Sequence, residues 1–222
     1  MNRFLIRNEG PIEDNIAKGL AVAVEACRDL AVAEMAMIVP HKGEFPTTAV
    51  GKFIGEAQAK RMAKGECLPV HGVGVRCESI DTASRARGAR VVLVFYLDAK
   101  GMKKVDGLPG VETIVFVPWL RDEGDNWQRM WNAKVLGENI PATARDLDPE
   151  VVRRLDRLTT SINLSTGLHH PSDEGRAKQT FAELREQRKA IKPAEIEIWA
   201  VRNRWSPTHA AELRQLAQKY VW

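Results

Sequence analysis

Four polar clusters hold most of the side chains with usable chemistry. They are His41, Lys42, Thr47 and Thr48; Arg76, Cys77 and Glu78; Asp98 and Lys100; and Trp119, Arg121, Asp122 and Glu123. An imidazole beside a carboxylate can move protons. His41 with Glu78, Asp98 or Asp122 is therefore an acid–base set of the kind a hydrolase or transferase needs, provided folding brings them within hydrogen-bond reach. Lys42, Arg76 and Arg121, with the Thr47 and Thr48 hydroxyls and the ring of Trp119, make a set for holding an anionic, phosphate- or nucleotide-like small molecule. Cys77 acts as a nucleophile only beside a base in an electropositive setting. A fifth group is basic: Arg153, Arg154 and Arg157 at helical spacing, then Arg202 and Arg204 beside Trp199 and Trp205. Arginines on phosphates with indoles stacked on bases would make a nucleic-acid surface. Arginines as a solvated face over core tryptophans are the competing reading.

Other chemistries lack their signatures. The cysteines Cys27, Cys67 and Cys77 show no CxxC spacing, and the pair His169-His170 belongs to no HExxH run, so no metal is expected. No GxGxxG follows a strand and no GxxxxGK run occurs, which leaves any cofactor unspecified.

Each of the four clusters follows a strand-length apolar run. Phe4–Ile6, Met35–Val39, Leu68–Val75, Arg90–Leu97 and Val111–Trp119 give about five strands. Between them lie helical patterns. Ile12, Ile16, Leu20, Val24 and Cys27 form one stripe. Thr47 to Lys64 reads as one helix burying Val50, Phe53, Ile54 and Ala57. Shorter helices fall around Met102–Asp106 and from a cap at Asp125 through Val135 to Gly137. This alternation predicts an α/β domain over residues 1–140: a mostly parallel sheet with helices on both faces, Rossmann-like and three-layered. Ligands of such sheets bind beyond the carboxyl ends of the strands, so the fold would gather all four clusters at one edge.

A polar connector from Asn139 to Asp148 leads to a basic, mainly helical region over 148–222. Asp148-Pro149 starts a helix with Val151, Leu155 and Leu158 inside. A charged helix with Phe181 and Leu184 follows, and helices over 193–202 and 207–220 complete the region. The alternation in Glu195–Ala200 fits a strand as well, but Pro193 and the spacing of Ile196, Trp199 and Ala200 favour a helix.

The chain has 222 residues, 44% hydrophobic and 28% charged, an ordinary globular composition. No apolar run approaches the ~20 residues of a membrane span. The N-terminus lacks a leader pattern and the sparse cysteines suit a reducing compartment, so a cytoplasmic location is expected. Acidic and basic residues balance through residue 149, which places the whole formal net charge of +4 in the C-terminal third. The six tryptophans, including Trp222, predict indoles buried against the α/β domain or in a homodimer interface.

Residues 7–75 carry a family resemblance. Asn8-Glu-Gly-Pro-Ile-Glu-Asp-Asn15, an Ala-rich helix to Leu30, the strand Met35–Val39, and Gly43 followed by Thr47-Thr-Ala49 resemble the α/β domain at the C-terminus of pyruvate kinases and their stand-alone relatives. There a short hydroxyl-rich loop follows the strand and can hold a phosphorylated effector. Here that loop is longer and carries His41, Lys42, Glu44, Phe45 and Pro46. The resemblance implies the same sheet architecture.

Overall fold

The structure is a computed structural model that describes residues 1–86, 88–136 and 147–221. Gly137, the connector from Asn139 to Asp146, and Trp222 lie outside the described residues. The chain divides into two compact units: Met1–Gln128 with Asn132–Ala142, and Arg129–Trp131 with Thr143–Trp222. Among the described residues no helix is long and apolar enough to cross a membrane.

The first unit begins with β1 (Asn2–Leu5), α1 (Ile12–Asp29), β2 (Glu34–Val39), α2 (Ala49–Ile54) and α3 (Glu56–Ala63). It continues through β3 (Leu68–Val70), β4 (Val73–Ser79), β5 (Val91–Phe95), α4 (Ala99–Asp106) and β6 (Thr113–Val117), then α5 (Arg121–Trp131), whose last turn from Arg129 falls in the second unit, and β7 (Lys134–Val135). The strands form one seven-stranded sheet in the order β3-β4-β2-β5-β6-β1-β7. All neighbours run parallel except the β3–β4 edge pair.

The central strands are apolar on both faces because both are covered. Met35, Met37, Val39, Leu93, Phe95, Val115 and Val117 share one core with Ile16, Leu20, Val24 and Cys27 of α1 and with Val50, Ala59 and Met62 of α2 and α3. Residues of the opposite parity, among them Ile38, Val92, Val94 and Phe116, are equally buried. Phe116 meets Trp127 of α5 edge to face, with centroids 5.4 Å apart. The Trp127 indole and Arg3 both donate to Asp106 at the end of α4, each at 2.9 Å.

The sheet has seven strands, not five, for two local reasons. Leu68–Val75 is no single strand: His71 (φ 48°) and Gly72 (φ 86°) are both left-handed, the two-residue turn that closes a tight hairpin. The run therefore reverses at residue 71, and β4 extends to Ser79. Val135 is no helical residue either. Asn132 (φ 54°) stops α5 after Trp131, and Lys134–Val135 joins β1 as a short parallel edge. The expected helix from Thr47 to Lys64 breaks at Gly55, whose φ of 101° suits glycine alone. The break resets the helical phase, so Phe53 and Ala57 face out while Ala59 and Met62 are buried.

The second unit is helical: α6 (Pro149–Ser161), α7 (Pro171–Glu186), α8 (Pro193–Arg202) and α9 (Pro207–Gln218). Each opens on a proline, whose fixed φ suits the first turn and whose missing N–H costs nothing there. Asp148, His170 and Ser206 cap three of them with side-chain acceptors. Val151, Leu155 and Leu158 of α6 pack with Phe181 and Leu184 of α7, Ile196 and Ala200 of α8, and Leu213 of α9. Residues 193–202 are helix, as the Pro193 start and the Ile196–Trp199–Ala200 spacing require.

Candidate functional site

The topology of the sheet marks one position on its carboxyl edge. From β2 the chain moves outward to β4, and from β5 it moves the other way to β6. Loops leaving β2 and β5 thus diverge, and it is between such strands that open parallel sheets take their ligands. Ile38 pairs with Val94 and Val94 with Phe116. The exits of β2, β5 and β6 therefore lie side by side, and they carry Lys42, Tyr96 and Trp119.

Lys42 is held. Its Nζ lies 3.6 Å from Oε2 of Glu78, and the same oxygen accepts the Thr82 hydroxyl at 2.6 Å. Glu78 is buried at the end of β4, where an unpaired carboxylate would be costly, so the lysine and the threonine settle its charge. Cys77 is no nucleophile. Burial pushes its thiol up to about 12, and the opposing effects of Lys42 and Glu78 are smaller.

The other expected residues divide. His41 is exposed, and among the described residues no hydrogen bond or ion pair joins its ring to Glu78, Asp98 or Asp122. Asp98 instead caps α4, accepting from the Gly101 amide at 2.7 Å. Asp122 is exposed in the first turn of α5. The Thr47 and Thr48 hydroxyls turn inward on their own loop, donating to the carbonyls of Glu44 and Phe45 at 2.8 and 2.7 Å, and Thr48 also caps α2. Arg76 does not follow a strand but sits inside β4, paired with Glu34 at 3.2 Å. The hairpin at residue 71 moved it away from the carboxyl edge.

Trp119 and Arg121 remain at the edge and accessible. The Trp119 side chain is half exposed, and Arg121 reaches Asp125 at 3.7 Å and Glu9 only at 4.0 Å. The Trp119 carbonyl accepts from the Asn8 side-chain amide. Tyr96, absent from the sequence-based set, stands between β2 and β6. Its backbone is left-handed (φ 59°), its amide donates to Val117 O at 2.9 Å, and its ring meets that of Trp119 at 5.1 Å edge to face. Its hydroxyl is buried without a hydrogen-bond partner, and burial raises its phenol above the ordinary tyrosine range. A bulky residue with positive φ stores strain, and an orphan hydroxyl adds to the cost. Only its place at a strand end hinted at this role.

The basic C-terminal residues are mostly engaged within their own unit. Arg154 bridges Glu150 and Glu183, and Arg153 pairs with Glu150. Arg202 donates to the Arg129 carbonyl. Arg157 and Arg204 are exposed. Trp205 is a core residue, 2% exposed, with its indole donating to Thr159 at 3.0 Å, so it offers no face for a base.

The histidine pair divides too. His170 caps α7, whereas His169 turns to α9 and meets Glu212 at 3.0 Å. The spacing of His209 and Glu212, one helical turn apart, was a sequence signal for this grouping that the pair itself obscured.

Comparison with curated proteins and with solved structures returned no match. Residues 147–221 match a family model described as a domain of unknown function, DUF1889. The chain is thus an α/β protein whose C-terminal helical region is similar to that family.

Proposed function

We propose that the α/β unit binds a nucleotide-like anionic small molecule at the carboxyl edge of its sheet. The Tyr96 hydroxyl carries this reading. It is a buried polar group without a partner, on a strained residue, beside the position where open parallel sheets take their ligands. Lys42, Tyr96 and Trp119 leave three neighbouring strands, so they span about two strand spacings, roughly 10 Å, which suits a base and its phosphate. A base would lie on the exposed ring of Trp119 and bond to the Tyr96 hydroxyl. Its phosphate would meet Arg121, whose own carboxylate contacts are long. Lys42 supplies a second positive charge, tempered by Glu78.

Thermal-shift measurements with nucleoside monophosphates and sugar phosphates test this. A ligand at about 100 times its Kd stabilises by about 2.7 kcal/mol, a rise in Tm of about 5 °C or more for a chain of this size. Tyr96→Phe is expected to leave the free protein as stable or slightly more so, since it removes an orphan hydroxyl, and to abolish most of the shift. Absence of any shift with millimolar nucleotides and sugar phosphates, or a shift indifferent to both Tyr96→Phe and Trp119→Ala, would remove the proposal.

A further inference from the structure

We propose that His169, His209 and Glu212 bind one divalent transition-metal ion, zinc foremost, within the helical unit. Each of the three offers one ligand atom, and these atoms all lie within 4.8 Å of one another. Ligands around a tetrahedral zinc stand roughly 3.3 Å apart, given metal–ligand bonds of about 2.0–2.1 Å. His169 Nε2 and Glu212 Oε1 already stand 3.0 Å apart. The remaining gap is one that side-chain rotation can close, since the His169 side chain is 68% exposed and free to turn.

Three further observations favour a cation. The first is the tautomer of His209. Its Nδ1 lies 3.2 Å from the Leu164 carbonyl, which can only accept, so Nδ1 carries the proton. In its neutral form the ring then has its lone pair on Nε2. A histidine held by a backbone carbonyl through one nitrogen and free at the other is the usual supporting arrangement of a metal ligand. The second is Glu212, whose Oε2 is buried and has no hydrogen-bond partner. A carboxylate oxygen in that state lacks compensation for its lost water, and a metal ion would supply it. The third is the loop. Gly167 is left-handed (φ 58°), and a Cβ there would stand 2.5 Å from the His209 ring. The loop before α7 therefore packs flush on that imidazole and limits its orientation.

Two imidazole nitrogens and one carboxylate oxygen suit zinc and its first-row neighbours better than calcium or magnesium, which prefer all-oxygen shells. Three protein ligands leave a position open for water or a small ligand.

The test uses the whole chain, stripped of metal with a chelator and titrated with Zn(II) by calorimetry, with Co(II) absorption as a second readout. One equivalent is expected to bind the parent protein. His169→Asn, at an exposed loop position, and Glu212→Gln are each expected to weaken binding on the order of 100-fold. Circular dichroism of each variant separates lost binding from lost folding. No saturable Zn(II) binding to the parent protein, or stoichiometric binding left intact by both substitutions, would overturn the proposal. Neither result depends on what the α/β unit binds.

Discussion

The two units use their polar side chains differently. At the carboxyl edge of the sheet most are consumed by local structure: Asp98 and Thr48 cap helices, Thr47 closes its loop, and Glu78 is answered by Lys42 and Thr82. What stays exposed there is the Trp119 ring and Arg121, beside a Tyr96 hydroxyl that is buried without a partner. In the helical unit Arg153, Arg154 and Arg202 are consumed, paired with Glu150 and Glu183 or bonded to a carbonyl. What stays available there is a carboxylate oxygen and an imidazole nitrogen. On the proposed assignments, the first region would take an anion with a flat apolar part and the second a metal cation. Local pairing, and not residue composition, decides which charge a surface can accept.

Each side of this contrast can be probed by substitution. The largest effects should come from the two cores, which are separate. Phe95→Ala in the first and Phe181→Ala in the second, both fully buried, should each cost about 3–5 kcal/mol in denaturant unfolding. A loss below about 1 kcal/mol at either site would mean that its unit lacks the core described.

Gly167→Ala should cost about 1–3 kcal/mol, since it strains a left-handed residue and drives a methyl into His209. Zinc affinity should fall with it. Gly175→Ala in α7 meets nothing within 4 Å and should gain about 0.5–1 kcal/mol from helix propensity. Equal effects at the two glycines would show that the loop does not seat on the imidazole.

The smallest effect concerns acid. The Lys189 ammonium bonded to Asp148, helped by the Glu150 amide, holds this helix-capping carboxylate below the ordinary aspartate range. Arg154 lowers Glu150 and Lys178 lowers Glu174 in the same way. A carboxylate lowered on folding contributes its full stability above its unfolded value and loses it as the pH falls through the folded one. The helical content should therefore become less heat-stable below about pH 4, and high salt should shrink the difference because these groups are exposed. Circular dichroism melts that are flat from neutral pH to about pH 2.5 would contradict this.

The alternation of apolar runs made the parallel core legible, because strands covered on both faces must be apolar throughout. What escaped was set by single backbone residues. His71-Gly72 reverses the chain inside a valine-rich run, and that turn carried Arg76 off the edge. Gly55 splits one apparent helix and exchanges its buried face. Tyr96 looked like the tail of a strand, since nothing around it signals positive φ. The edge itself was predictable, but the partners of Thr47, Thr48 and Asp98 were not, as capping competes with ligand binding for the same side chains. The grouping of His169 with Glu212 joins residues 43 apart and depends on how four short helices pack.

The central proposal is that the carboxyl edge after β2 and β5 takes an anionic, nucleotide-like ligand. Amide chemical-shift mapping during titration with a nucleoside monophosphate tests it most directly. The account predicts saturable shifts at Lys42, Tyr96–Asp98 and Trp119–Arg121, none around Gly167 and His209, and loss of those shifts in Tyr96→Phe. Saturable shifts confined to other surfaces, or none at millimolar nucleotide, would contradict it.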